Sequence, residues 1–130
     1  MDEPVSGRAK HILIVDDDAR VRAALARLLR AAGLAVTGAS DGEEALARLG
    51  EFTPDLVLLD LSMPEIDGFE LLRRIRADPR NNTIPVIMLS AMSDAALRQK
   101  AIDAGANDLW SKIGVDYATL PQRLMALMGN

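Results

Sequence analysis

Hydrophobic residues along the chain fall into short runs with little alternation: Ile12-Leu13-Ile14-Val15, Leu34-Ala35-Val36, Leu56-Val57-Leu58-Leu59 and Val86-Ile87-Met88-Leu89. Each run is bounded by Asp, Gly, Ser or Pro. A strand with one wet face alternates apolar and polar residues, whereas a strand covered on both faces reads as a continuous apolar run, as in a parallel sheet. The stretches between the runs carry helical spacing. From Ala19 to Ala32, Val21, Leu25, Leu28 and Leu29 form one stripe, which predicts that Arg22, Arg27 and Arg30 face outward, and Gly33 ends the helix.

A second helix opens at Asp41, with Asp41 as N-cap and Glu44 completing a capping box, and carries Ala45, Leu46 and Leu49. A third runs from Gly68 to Ala77 with Phe69, Leu72 and Ile75 inward, stopped by Pro79. A fourth starts at Ser93 or Asp94 and uses Leu97, Ala101 and Ala104 before Gly105. A weaker fifth strand is predicted over 107–111. The last helix starts at Thr119 as N-cap, with Pro121 in its first turn, where a missing N–H costs nothing, and ends near Met128. Five β–α units in succession, joined by right-handed crossovers, give an α/β fold with a doubly wound five-stranded parallel sheet. With no linker, repeat or low-complexity tract, residues 1–130 read as a single domain with a core of about 10–128.

Composition narrows the functional classes. The formal net charge of −4 argues against nucleic acid or an acidic membrane as a direct partner, because both reward clustered Lys and Arg. The absence of cysteine excludes disulfides and thiolate metal sites. No apolar stretch approaches a membrane span, and the N-terminus lacks the apolar centre of a signal peptide, so the expected location is the cytoplasm.

In doubly wound sheets, sites form beyond the carboxyl ends of the strands. Asp16, Asp17 and Asp18 follow the first strand, and Asp60 ends the third, followed by Leu61-Ser62-Met63-Pro64. Ser90 ends the fourth, and Ser111-Lys112 end the fifth. Carboxylates, a hydroxyl and an ammonium thus converge on one edge. The hard oxygen donors suit Mg²⁺, which takes few carboxylates and keeps several waters. The lysine and serine suit a phosphoryl group, and an Asp carboxylate can serve as a nucleophile forming an acyl phosphate.

With these residues in place, the sequence resembles the response-regulator receiver domains of two-component signalling, of the chemotaxis-regulator type. The likeness rests on ILIVDDD, DLVLLDLSMPEIDGFELLRRIR, IPVIMLSA and AGANDLWSK, in that order, and covers about Lys10 to Met128. It implies a flavodoxin-like (βα)5 fold with strand order 2-1-3-4-5. It also implies that Asp60 is the phospho-acceptor, with Ser90 and Lys112 binding phosphoryl oxygens. Asp16, Asp17, Asp60 and the backbone carbonyl of Ser62 are the implied Mg²⁺ ligands, Asp17 directly and Asp16 through water. The implied phosphodonor is the phosphohistidine of a sensor histidine kinase or phosphotransfer protein. The phosphorylated domain, a monomer or a phosphorylation-dependent dimer, would present a changed surface of fourth helix, fifth strand and fifth helix to a protein target. On this reading the chain is a phospho-acceptor signalling domain, not an enzyme, although it promotes its own phosphotransfer and slow dephosphorylation.

Other readings of the same residues weigh differently. Asp18 suits the start of the first helix as a cap. His11, the sole histidine, reads as a surface residue, and Met88, Met125 and Met128 as packing. An aspartyl-phosphate phosphatase would place a second Asp two residues after the nucleophile, where Ser62 stands. A flavodoxin-like cofactor binder would need a phosphate loop rich in Gly, Ser and Thr, where this chain is acidic. A receiver-like docking module that works without phosphorylation is the remaining alternative. It draws on two departures from the family: Leu109 stands where a switch aromatic is usual, and Ile113 where a cis-proline follows the lysine. A non-proline residue there predicts a trans bond and a reshaped turn. Met92, which offers no group to orient water, predicts slow self-hydrolysis.

Overall fold

The computed structural model describes residues 9–61, 68–92 and 94–129. Five strands, β1 (His11–Val15), β2 (Ala35–Ala39), β3 (Leu56–Asp60), β4 (Val86–Ser90) and β5 (Asp108–Ser111), alternate with five helices. These are α1 (Ala19–Ala31), α2 (Gly42–Glu51), α3 (Gly68–Ala77), α4 (Ala95–Asp103) and α5 (Leu120–Leu127). All strand pairs are parallel, and the sheet order is β2-β1-β3-β4-β5. Every residue of β3 and β4 is buried, which explains why these segments are apolar without alternation.

Two layers of core flank the sheet. Leu13, Val15, Val57, Leu59, Val86 and Met88 point to the side covered by α2 and α3 through Ala45, Leu49, Leu71, Leu72 and Ile75. Ile12, Ile14, Leu56, Leu58, Ile87 and Leu89 point to the side covered by α1 and α5 through Leu25, Leu29, Leu120 and Leu124. The alternation of side-chain direction along each strand divides one apolar run between two cores.

Several local expectations shift. β2 extends to Ala39, beyond the apolar run that marked it, and β5 begins at Asp108. In α3, Leu71 is buried with Leu72 and Ile75, while Phe69 is only partly so. In α4 Ala101 is buried but Ala104 is exposed. The Asp41 carboxylate accepts from Glu44 N at 2.8 Å, but Glu44 reaches back past the cap to Ser40, accepting from its N–H at 2.7 Å and its hydroxyl at 2.9 Å. Thr119 holds the N-cap position of α5, as expected, but makes no side-chain cap bond, and its hydroxyl donates to the Asp116 carbonyl at 3.2 Å. His11 is half-buried: its Nε2 lies 2.7 Å from Thr37 Oγ1, and its ring stacks on Phe52 at 4.4 Å. Gly33 and Gly105 follow α1 and α4 at φ +93° and +113°, a region L side chains rarely adopt. Among the described residues, no helix is long and apolar enough to cross a membrane.

Candidate functional site

The site lies at the carboxyl edge of the sheet, between the ends of β1 and β3, whose next helices, α1 and α3, cover opposite faces. Asp16 is the first residue beyond β1. Its amide donates to the Ala39 carbonyl at 3.1 Å, and its Oδ1 accepts from Asp18 N at 2.9 Å, which closes a tight turn into α1. Asp18 then caps α1, accepting from Arg20 N. Asp16 is 2% exposed and Asp60 5%, whereas Asp17 projects into solvent.

Carboxylate oxygens of Asp16, Asp17 and Asp60 lie within 4.8 Å of one another. Like charges this close repel strongly when partly withdrawn from water. Lys112 offsets part of that cost: its Nζ stands 3.0 Å from Asp16 Oδ2 and 3.3 Å from Asp60 Oδ1. Burial alone would lower the lysine's pKa. Its hydrogen bond to Asp16 and the nearby Asp60 and Asp16 charges outweigh that effect and raise it, so the ammonium stays charged. Among the described residues, one ammonium faces three carboxylates, which makes an acidic pocket. This is a donor set of hard oxygens, and it fits a small divalent cation.

Ser90, 5% exposed, sits two strands from Asp16. Its Oγ accepts from Met92 N at 3.1 Å, which leaves the O–H for donation. Met92 is 71% exposed beside it. Gly68 opens α3 so close to the end of β3 that a Cβ there would lie 2.8 Å from both the Asp60 carbonyl oxygen and Leu61 Cα. Only glycine lets α3 begin this near the acidic residue. Ser62, expected to contribute a backbone carbonyl, lies outside the described residues.

The structure therefore brings Asp16, Asp17, Asp60 and Lys112 into one pocket, with Ser90 at the end of the neighbouring strand. It also adds a residue that periodicity assigned to solvent. Arg22 folds back from α1 along β2, and its Nη1 donates to the Asp16 carbonyl at 2.7 Å. Gly38 leaves room for this arm, since a Cβ there would meet Arg22 Cδ at 3.4 Å. A helical stripe shows which residues face away from the core, but not where a long side chain ends.

The two departures at β5 have structural counterparts. Leu109 is 2% exposed and belongs to the core beneath α2, α3 and α4. Trp110 points to the other face, where Arg123 of α5 covers its ring at 3.9 Å and its Nε1 donates to Asp108. Asp108 is also paired with Arg98 of α4 at 2.6 Å. Burial favours the protonated form of Asp108, but Arg98, the indole N–H and the Leu109 amide together hold its pKa below the usual value. No cis peptide bond occurs among the described residues.

Comparison with known proteins agrees with this architecture. The sequence model of the response regulator receiver domain matches residues 12–124. The transcriptional regulatory protein PrrA of Mycobacterium leprae is 41% identical over 128 residues, which cover 98% of this chain and 53% of that protein. The gliding motility regulatory protein of Myxococcus xanthus is 42% identical over 96 residues, 74% of this chain and 12% of that one. This chain thus spans about half, or less, of the length of these two relatives. Among solved structures, the chemotaxis protein CheY4 of Vibrio cholerae superposes with a TM-score of 0.86 at 28% identity, covering 92% of this chain and 99% of that one. The chain belongs to the response regulator receiver domain family.

Proposed function

We infer that this chain, acting as a single receiver domain over residues 1–130, accepts a phosphoryl group on Asp60 and relays it as a change of surface. The observation that carries this reading is the Lys112 ammonium bridging Asp16 and Asp60, with Asp17 in the same carboxylate cluster. Asp16 and Asp17 would hold Mg²⁺ together with Asp60, and Ser62 through its carbonyl. Bound there, the ion would neutralise carboxylate charge and polarise phosphoryl oxygens.

The chain's own residues do the rest. An Asp60 oxygen attacks phosphorus, a P–O bond forms, and the bond to the donor breaks. The donor leaves with the electron pair, as imidazole from a phosphohistidine or as acetate from acetyl phosphate. Lys112 sits within reach of the new phosphoryl group and supplies a positive charge where negative charge accumulates. Ser90 supplies a hydroxyl donor from β4. The product places a dianion beside Ser90 and Lys112, at the ends of β4 and β5, and so can bias the segments that lead into α4 and α5. The proposed donor is a sensor histidine kinase or phosphotransfer protein, and the proposed recipient of the signal is a protein that reads the α4–β5–α5 face. PrrA is named a transcriptional regulatory protein, and the proposed recipient includes another part of a longer chain.

The test is incubation with Mg²⁺ and acetyl phosphate followed by intact-mass measurement. The wild type is expected to gain one phosphoryl group, and Asp60→Asn none. A wild type that gains no mass would overturn the proposal.

A further inference from the structure

Lys112 reaches the acidic pocket from a turn that contains no proline ring to fix it. Its amide donates to the Ser90 carbonyl at 2.8 Å, the last rung between β4 and β5. Beyond that rung, the direction of the Lys112 carbonyl depends on bonds made by side chains. Ser111 Oγ accepts from Ile113 N and Gly114 N, each at 3.2 Å, and Val115 N donates to the Ser111 carbonyl at 3.1 Å. Tyr117 Oη donates to the Lys112 carbonyl at 3.0 Å. Ile113 is 83% exposed and contributes little packing, whereas Val115 is buried against the α1–α5 core.

Tyr117 is 41% exposed. It lines an apolar groove with Val21, Ala24, Leu25 and Leu28 of α1. The phenol hydroxyl thus reaches the main chain of the one cation in the described carboxylate pocket. A lysine side chain is long and loses much rotamer freedom when held, so the position of its ammonium depends on how firmly its own backbone is fixed.

We propose that Tyr117 is a positioning residue for Lys112: its hydroxyl fixes the Lys112 carbonyl so that Nζ stands between Asp16 and Asp60. Its consequence for phosphotransfer rests on Asp60 being the acceptor, but the positioning itself does not. Ser111 holds the same turn from the inside.

Tyr117→Phe keeps the ring and deletes only the hydroxyl. The expected result is phosphorylation by acetyl phosphate slowed roughly three- to tenfold at saturating Mg²⁺, the loss of one hydrogen bond expressed as a rate. In a Lys112→Met background the same substitution is expected to change nothing further, because the group being positioned is gone. A wild-type rate in Tyr117→Phe, or an equal slowing in both backgrounds, would overturn the proposal. A second readout needs neither metal nor phosphodonor. The Lys112 ammonium signal in ¹H–¹⁵N NMR is expected to be sharp in the wild type, protected from exchange by its two carboxylates, and to broaden in Tyr117→Phe and Ser111→Ala. If no protein is phosphorylated but the signal broadens, the acceptor reading fails and the positioning stands. An unchanged signal removes the positioning.

Discussion

The two edges of the sheet use polar residues in opposite ways. At the amino edge, several polar side chains are spent on other parts of the fold, although the Oδ1 of buried Asn81 has no hydrogen-bond partner there. Arg76 donates through Nε to the Gly105 carbonyl at 2.8 Å, and its Nη atoms reach the Asn81 carbonyl and Asn107 Oδ1. Asn107 Oδ1 also accepts from Val86 N at 2.9 Å, and the Asp55 carboxylate accepts from His11 N at 2.7 Å. At the carboxyl edge, three carboxylates share one pocket, with the Lys112 ammonium between two of them among the described residues. One edge staples the ends of α3, β4 and β5 together. The other keeps unbalanced charge that a cation or phosphoryl group can complete. Concentrated like charge costs stability and persists where function uses it.

The largest way to break this contrast is to close the gap at Gly68. Gly68→Ala drives a methyl against the backbone of Asp60 and Leu61, and is expected to cost about 2–4 kcal/mol in chemical denaturation while slowing phosphorylation. A near-neutral result would show that α3 can shift away from the pocket freely. Next comes metal binding: at an ion concentration about 100 times its Kd, Mg²⁺ should stabilise the wild type by about 2.7 kcal/mol. Asp17→Asn should abolish most of that gain, measured by thermal unfolding with and without the ion.

Arg76→Met probes the opposite edge. Removing the half-buried guanidinium leaves the Gly105 and Asn81 carbonyls without that donor, and should cost about 2 kcal/mol with the rate of phosphorylation retained. If that rate fell in step with stability, the two edges would not be independent.

The smallest effect is a pH dependence at His11. Burial lowers its pKa from 6.5, partly opposed by Asp55. The folded state thus favours neutral imidazole, and between the lowered value and 6.5 the unfolded chain binds more protons. The contribution is fully present above pH 6.5 and is lost as pH falls through the lowered value. Replacement by His11→Gln should flatten the stability profile across that window, and Thr37→Val should cost about 1 kcal/mol through the lost side-chain hydrogen bond.

Much of this was legible in the chain. Buried strands announce themselves as apolar runs because both faces must be covered, and each run ends at the residue that leaves the sheet. That is why Asp16, Asp60, Ser90 and Lys112 could be placed at one edge by position alone. The helix caps at Asp18, Asp41 and Asp94 follow from local hydrogen bonding, which needs only nearby residues. Failures came where a long or amphipathic side chain had alternatives. Arg22 faces away from the core by periodicity, yet reaches Asp16 across β2. His11 begins a strand at the rim, yet is covered by Phe52, more than forty residues along the chain.

The sequence alone determined the order of elements, the parallel sheet and the set of groups at its carboxyl edge, because these depend on period, caps and strand ends. Tertiary structure decided that Lys112 bridges Asp16 and Asp60, that Tyr117 holds the lysine's carbonyl, and that Gly68 is required by close approach. Those facts depend on distances between residues far apart in the chain. A pattern of neighbours does not encode such distances until the sheet brings the residues together.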